Sequence, residues 1–127
     1  MSRRGNSSPA SPLRVLVVED DSATTHALEL LLRHQGHEVL MASNVDEALR
    51  HVASEPDVIL LDLMLPDGDG MHVLEAVRER GLKSRVVVIT GVGDADHLDR
   101  VHLLKPDALL KKPVDFFQIL EKLLPAA

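Results

Sequence analysis

The chain has 127 residues, and a compact domain near this size buries roughly 65 to 70% of its unfolded surface, so one domain with an ordinary core fits without disulfides or a structural metal. The absence of cysteine excludes thiol catalysis, disulfides and zinc-thiolate sites and is compatible with the cytoplasm, the expected location. A formal charge of -6, with two Phe and neither Trp nor Tyr, argues against direct nucleic-acid binding, and no apolar run approaches the about 18 residues of a membrane span.

Residues 1–12, MSRRGNSSPASP, carry an Arg pair with no apolar stretch behind it. They predict a disordered tail rather than a secretory or twin-arginine signal, with the folded domain over 13–124. Leu13 to Val18 (LRVLVV) is a short apolar, β-branched run that stops abruptly at Glu19, Asp20 and Asp21, as a buried strand with acids at its carboxyl end would. Ser22 to Gln35 predicts a helix with Ala27, Leu28, Leu31 and Leu32 on its apolar face, closed by Gly36, and Asp21 suits the helix's amino end.

His37 to Ala42 predicts the second strand, and Asn44 caps a helix with Val45, Ala48, Leu49 and Val52 on one face. Glu47, three residues after Asn44, resembles the second half of a capping box. Asp57 to Leu61 (DVILL) predicts the third strand, ending at Asp62. A loop rich in Pro and Gly leads to a helix carrying Met71, Leu74 and Val77 before Gly81. Arg85 to Ile89 predicts the fourth strand, ending at Thr90, and a weaker helix follows over about Ala95 to Leu104. Ala108 to Leu110 predicts the fifth strand, ending at Lys111 and Lys112; Asp115 then caps a last helix with Phe116, Phe117, Leu120, Leu123 and Leu124 turned inward.

Five alternations of apolar strand and amphipathic helix predict an α/β fold: a doubly wound, five-stranded parallel sheet with five helices, flavodoxin-like, covered on both faces. In such sheets ligands bind beyond the carboxyl ends of the strands. Those ends carry Glu19 and Asp20, Asp62, Thr90 and Lys112. Three carboxylates at close quarters need a cation, and an oxygen-only donor set with room for water suits Mg²⁺ or Mn²⁺. A carboxylate is also a nucleophile in phosphoryl transfer. Asp62, alone at the centre, is the candidate nucleophile; Glu19 and Asp20 are better suited to metal, Thr90 and Lys112 to phosphoryl oxygens, and Gly91 leaves space for the group.

The segments VLVVEDD, DVILLDLMLPDGDG, VVVITG and LLKKPV, in this order and spacing, resemble the response-regulator receiver domain of two-component signalling, over Leu13 to about Leu124. The resemblance implies that Asp62 accepts a phosphoryl group from a sensor histidine kinase or a histidine phosphotransfer protein. It implies that Glu19, Asp20, Asp62 and the Met64 carbonyl hold Mg²⁺, that Thr90 and Lys112 bind phosphoryl oxygens, and that a cis peptide precedes Pro113. Self-phosphorylation and its reversal are then incidental, and the chain is no enzyme in the ordinary sense. A downstream protein or an output domain outside this chain would read the change.

Several residues invite other readings. Asp67, Gly68, Asp69 and Gly70 look like a calcium loop, but Met71 stands where a third Asp or Asn is needed and no Glu closes the loop, so a turn capping the third helix is expected. The seven histidines lie on separate elements and predict surface positions, and Lys111 a solvent-facing neighbour of Lys112. The family usually carries Tyr or Phe where Leu109 stands, and Lys105 and Pro106 replace a common Gly-Ala pair, with Pro106 expected to end the fourth helix early. A dehalogenase-type phosphatase would need a second Asp at Met64, and a flavodoxin-like cofactor protein would need a hydroxyl-rich phosphate loop where the three acids lie. A scaffold that is not phosphorylated commonly lacks the acceptor or the lysine, and both are present. No output segment follows Leu124, which fits either a stand-alone regulator or a receiver cut from a longer chain, with Pro125, Ala126 and Ala127 opening a linker.

Overall fold

The computed structural model describes residues 12–91 and 95–125, of which 95–98 by backbone alone. The expected tail, apart from Pro12, and the last two linker residues lie outside them. In chain order the elements are β1 (Arg14–Val18), α1 (Ser22–His34), β2 (Glu38–Ala42), α2 (Val45–Val52), β3 (Val58–Asp62), β4 (Met64–Leu65), β5 (Gly68–Asp69), α3 (Met71–Glu79), β6 (Arg85–Thr90), α4 (Ala95–Leu103), β7 (Ala108–Lys111) and α5 (Phe116–Lys122). The long strands form one parallel sheet in the order β2-β1-β3-β6-β7, so the order reverses direction between β1 and β3. The short antiparallel hairpin β4–β5, read from sequence only as a loop, follows Asp62 directly.

Successive strand residues point to opposite faces, and the two faces bury separate clusters. Leu16, Val18, Ile59, Leu61, Val86 and Val88 pack against Ala48 and Val52 of α2, Val73, Leu74 and Val77 of α3, and Val101 of α4. Val15, Val17, Leu60, Val87 and Ile89 pack against Leu28 and Leu32 of α1 and Ile119 of α5. β3 is buried along its whole length, as a central strand covered on both sides must be.

Two apolar faces differ from those predicted. In α1 only Leu28 and Leu32 are buried; Ala27 and Leu31 face an open cleft. In α5 Phe117 is 77% exposed, and Leu124, beyond the helix end, is 60% exposed, whereas Ile119, absent from the predicted face, is buried. The helix has seven residues, and its inward face is Ile119 flanked by the partly buried Phe116 and Leu120, with the buried Leu123 just beyond its end, so three of the five predicted positions do pack against the sheet.

The caps show how local sequence sets these elements. The Asp21 side chain accepts hydrogen bonds from the Thr24 N–H and hydroxyl at the start of α1. Asp115 and Gln118 form a reciprocal capping box on α5, at 2.9 and 3.0 Å. At α2 the Asn44 side chain accepts from Glu47 N, but Glu47 reaches back to the Ser43 N–H and hydroxyl rather than to Asn44, so the predicted box is displaced by one residue. α4 ends at Leu103, ahead of Pro106, and Lys105 takes a φ of +52°. Lys111 is exposed, as predicted; of the histidines with described side chains, His37 and His51 are partly buried and the others exposed, and the Nδ1 of His37 accepts the Leu13 N–H at 3.0 Å.

Candidate functional site

The sheet delivers its charged residues to one edge. Asp62 ends β3, the strand at the centre of the sheet, and is only 3% exposed. Glu19 follows β1 immediately, and its N–H donates to Ala42 O at 3.0 Å, which holds the chain against the end of β2. One carboxylate oxygen from each of Glu19, Asp20 and Asp62 lies within 4.8 Å of the others, the only such group of potential ligands among the described residues. Lys112, just beyond β7, extends Nζ to within 2.7 Å of Asp62 Oδ2 and 3.7 Å of Glu19 Oε1. Its backbone N–H donates to Thr90 O at 2.7 Å, so Lys112 and the buried Thr90 are fixed side by side. The peptide between Lys112 and Pro113 is cis.

The other oxygen of Asp62 accepts the Met64 N–H at 3.0 Å, and the Met64 side chain is 59% exposed, so Met64 meets the site through its backbone. Gly70 closes the hairpin from below. A Cβ there would lie 2.4 Å from the Asp62 carbonyl oxygen, which leaves glycine as the residue that fits without moving backbone.

The charges are unbalanced. Desolvation pushes the Glu19 carboxyl above its ordinary range; the Asp21 N–H and Lys112 act against this, while the neighbouring Asp62 adds to it. Burial works against the Lys112 ammonium, but its hydrogen bond to Asp62 and the attraction of Asp62 and Glu19 prevail and raise it. Three carboxylates with one ammonium leave a surplus of negative charge in a partly desolvated pocket, the condition under which a hard divalent cation binds.

Below this edge, an apolar cleft of about 720 Å³ runs between α1 and the segment from Lys112 into α5, and Ala27, Leu31, Val114 and Phe116 are among its walls. It accounts for the exposed positions in the predicted face of α1.

Asp67 was expected only to shape a turn. Its carboxylate instead accepts the N–H groups of Val45 and Asp46, at 2.8 and 3.1 Å, capping α2 from the tip of the hairpin. Asp69 does the local work, accepting the Met71 N–H at 2.9 Å. Arg78 was likewise unassigned: it donates to Leu104 O and Lys105 O, at 3.0 and 2.6 Å, and pairs with Asp107 at 3.4 Å, tying α3 to the end of α4. Leu109 lies half-buried against the cluster under α2, α3 and α4.

A doubly wound parallel sheet with an acidic triad at the carboxyl ends of its central strands, reached by a lysine from the edge strand, is the architecture of a receiver domain. The family model of the response regulator receiver domain matches residues 15–124, and the chain belongs to that family. It is 34% identical over 116 residues to the transcriptional regulatory protein TrcR of Mycobacterium tuberculosis, a match covering 89% of this chain and 44% of that one. A CheY-like response regulator receiver domain protein from Methanospirillum hungatei superposes with a TM-score of 0.80 at 30% identity, covering 88% of this chain and 90% of the other. A response regulator from Burkholderia pseudomallei, solved with a phosphorylated aspartic acid, a calcium ion and citrate, superposes with a TM-score of 0.79 at 26% identity, covering 88% of this chain and 66% of that one. The chain spans about half the length of the first curated relatives it matches, 44% and 50%. Among the described residues no helix is long and apolar enough to cross a membrane.

Proposed function

We propose that this receiver domain is a phosphorylation-dependent switch in which Asp62 is the phosphoacceptor. The observation that carries the reading is the meeting of Glu19, Asp20 and Asp62 oxygens within 4.8 Å beside the Lys112 ammonium. Receptors of this family take their phosphoryl group from a phosphohistidine, so the partner would be a sensor histidine kinase or a phosphotransfer protein, and the setting the cytoplasm.

The donor set fits Mg²⁺ or Mn²⁺: three carboxylate oxygens, no sulfur, and an excess of negative charge that one ammonium does not offset. Glu19, Asp20, Asp62 and the Met64 carbonyl would hold the ion. When bound, it neutralises charge on the phosphoryl oxygens.

The protein's own groups then have distinct tasks. Asp62 attacks phosphorus through a carboxylate oxygen, the bond from phosphorus to the donor imidazole nitrogen breaks, and the imidazole leaves with its electron pair to be protonated from solvent. Lys112, paired with the Asp62 carboxylate in the resting state, follows the negative charge onto a phosphoryl oxygen. The Thr90 hydroxyl, at the end of the neighbouring strand, donates to another. Hydrolysis of the acyl phosphate resets the switch, and the chain's own chemistry goes no further than this self-phosphorylation and reversal. The new charge biases a pre-existing equilibrium at a face read by a downstream protein or an output domain. With Leu109 half-buried in place of an aromatic ring, that bias passes through aliphatic packing.

Incubation with Mg²⁺ and acetyl phosphate, followed by intact-mass measurement, tests the reading. One phosphate should add to the parent protein, none in the presence of chelator, and none to Asp62→Asn. No adduct on the parent protein at saturating Mg²⁺ and rapid quenching would identify a scaffold that signals without phosphorylation.

A further inference from the structure

The metal-site reading depends on a backbone carbonyl, that of Met64, and a carbonyl is only as well aimed as the segment that carries it. Met64 opens the β4–β5 hairpin, a two-stranded ribbon with two residues in each strand. So short a ribbon is marginal on its own in water and takes its position from what it touches.

Three attachments stand out. At its base the Met64 N–H is bonded to Asp62 Oδ1 at 3.0 Å, and the Gly70 N–H to Leu63 O at 2.9 Å. At its tip Asp67 spans to α2 and accepts two N–H groups, those of Val45 and Asp46. The residues just before α2 belong to the other half of the site, because Ala42 O receives the Glu19 N–H at 3.0 Å. Asp67 therefore closes a ring of contacts around the acidic pocket. It runs from Glu19 through the end of β2 to the start of α2, across to the hairpin, and back through Met64 to Asp62.

Helix capping alone does not require this arrangement. Asn44 already supplies a local cap, its side chain accepting the Glu47 N–H at 2.8 Å, and any short polar residue near Val45 could have served the remaining donors. The acceptor comes instead from the turn of the ribbon that carries Met64, more than twenty residues along the chain.

We propose that Asp67 is a positioning residue for divalent-ion uptake, strapping the hairpin to α2 so that the Met64 carbonyl is held where Glu19, Asp20 and Asp62 converge. The inference rests on the metal-site reading above. Removal of the strap loosens the hairpin, and the loss falls on ion affinity more than on the fold.

The test is calorimetric titration of the full chain with Mg²⁺ and, separately, Mn²⁺, for the parent protein, Asp67→Ala, Asp67→Asn and Asn44→Ala. Asn44→Ala removes a cap from the same helix end without touching the hairpin, so it reports what helix loosening does by itself. Outer-shell partners of metal sites commonly contribute 10- to 100-fold in affinity, and the expected loss for Asp67→Ala is at the low end, about 10-fold. Asp67→Asn keeps one acceptor oxygen and should fall between parent and alanine; it also carries the comparison should the alanine variant fold poorly. Asn44→Ala should bind both ions as the parent does, while lowering the thermal midpoint. Parent-like affinity in both Asp67 variants would overturn the proposal and leave the metal-site reading intact. An equal loss in Asn44→Ala would overturn it in favour of simple helix loosening. Absence of ion uptake by the parent protein itself would remove the metal-site reading and this inference together.

Discussion

Lys105 carries a φ of +52°, a left-handed conformation that costs a side chain with a Cβ roughly 1 kcal/mol and costs glycine almost nothing. It is held there by Arg78, which hydrogen-bonds its carbonyl at 2.6 Å, and by Pro106, which prevents α4 from continuing. Lys105→Gly should therefore stabilise the domain slightly, by up to about 0.5 kcal/mol in urea unfolding, because the greater freedom of glycine in the unfolded chain offsets much of the relief. A lower midpoint would mean that the lysine side chain has a role of its own. His37 offers a pH test at the same scale. Its Nδ1 accepts the Leu13 N–H, and burial depresses its affinity for a proton below the ordinary value near 6.5. The unfolded chain thus binds this proton more readily than the folded one. The stability it contributes is complete above about pH 6.5 and is lost as pH falls through the depressed folded value. His37→Gln, which keeps an acceptor without titrating, should flatten the fall of the thermal midpoint across that interval, and an unchanged slope would contradict the assignment.

At the scale of elements, α5 shows what periodicity can and cannot tell. Seven residues make two turns, too few for the pattern in FFQILEK to define a face, and the alternation that places Phe117 inward fits as well as the one that places Ile119 there. Packing decides: Ile119 is 4% and Phe117 77% exposed. Ile119→Ala should cost about 2 to 4 kcal/mol, as buried Ile truncations do. Phe117→Ser should change stability by less than about 0.5 kcal/mol, and both values follow from the same chemical denaturation series. In the loop after β3, Gly70→Ala forces a Cβ onto the Asp62 carbonyl at 2.4 Å. It should lower the thermal midpoint and the yield of phosphoryl adduct together, since the backbone that must shift belongs to the acceptor itself. Retention of the full adduct by a destabilised Gly70→Ala protein would show that the Asp62 backbone tolerates displacement.

Across the whole molecule, the sheet was legible because each strand is a nearly unbroken apolar run with a sharp end. Where such a run stops at Glu19, Asp62 or Thr90, the chain has reached the edge of the sheet, and the residue at the stop lies at the ligand-binding side. That is why the acidic triad and Lys112 could be named before any distance was known. Asp67 and Arg78 were not legible in the same way. Each acts on backbone groups more than twenty residues distant, and nothing in a side chain's own neighbourhood shows that its partner is a remote N–H or carbonyl. The exposure of Ala27 and Leu31 was hidden for a related reason: α1 has the apolar residues of a wider face, but the cleft beside α5 leaves part of that face uncovered.

The central claim is that one carboxylate, Asp62, carries the phosphoryl group. Borohydride reduces an acyl phosphate to the alcohol, so treatment of the phosphorylated protein followed by peptide mass mapping marks the acceptor as homoserine. The mark should fall on the peptide containing Asp62, at Asp62 itself, and should be absent without Mg²⁺. Its appearance at Glu19 or Asp20, or an adduct that resists reduction because it sits on a histidine, would contradict the account.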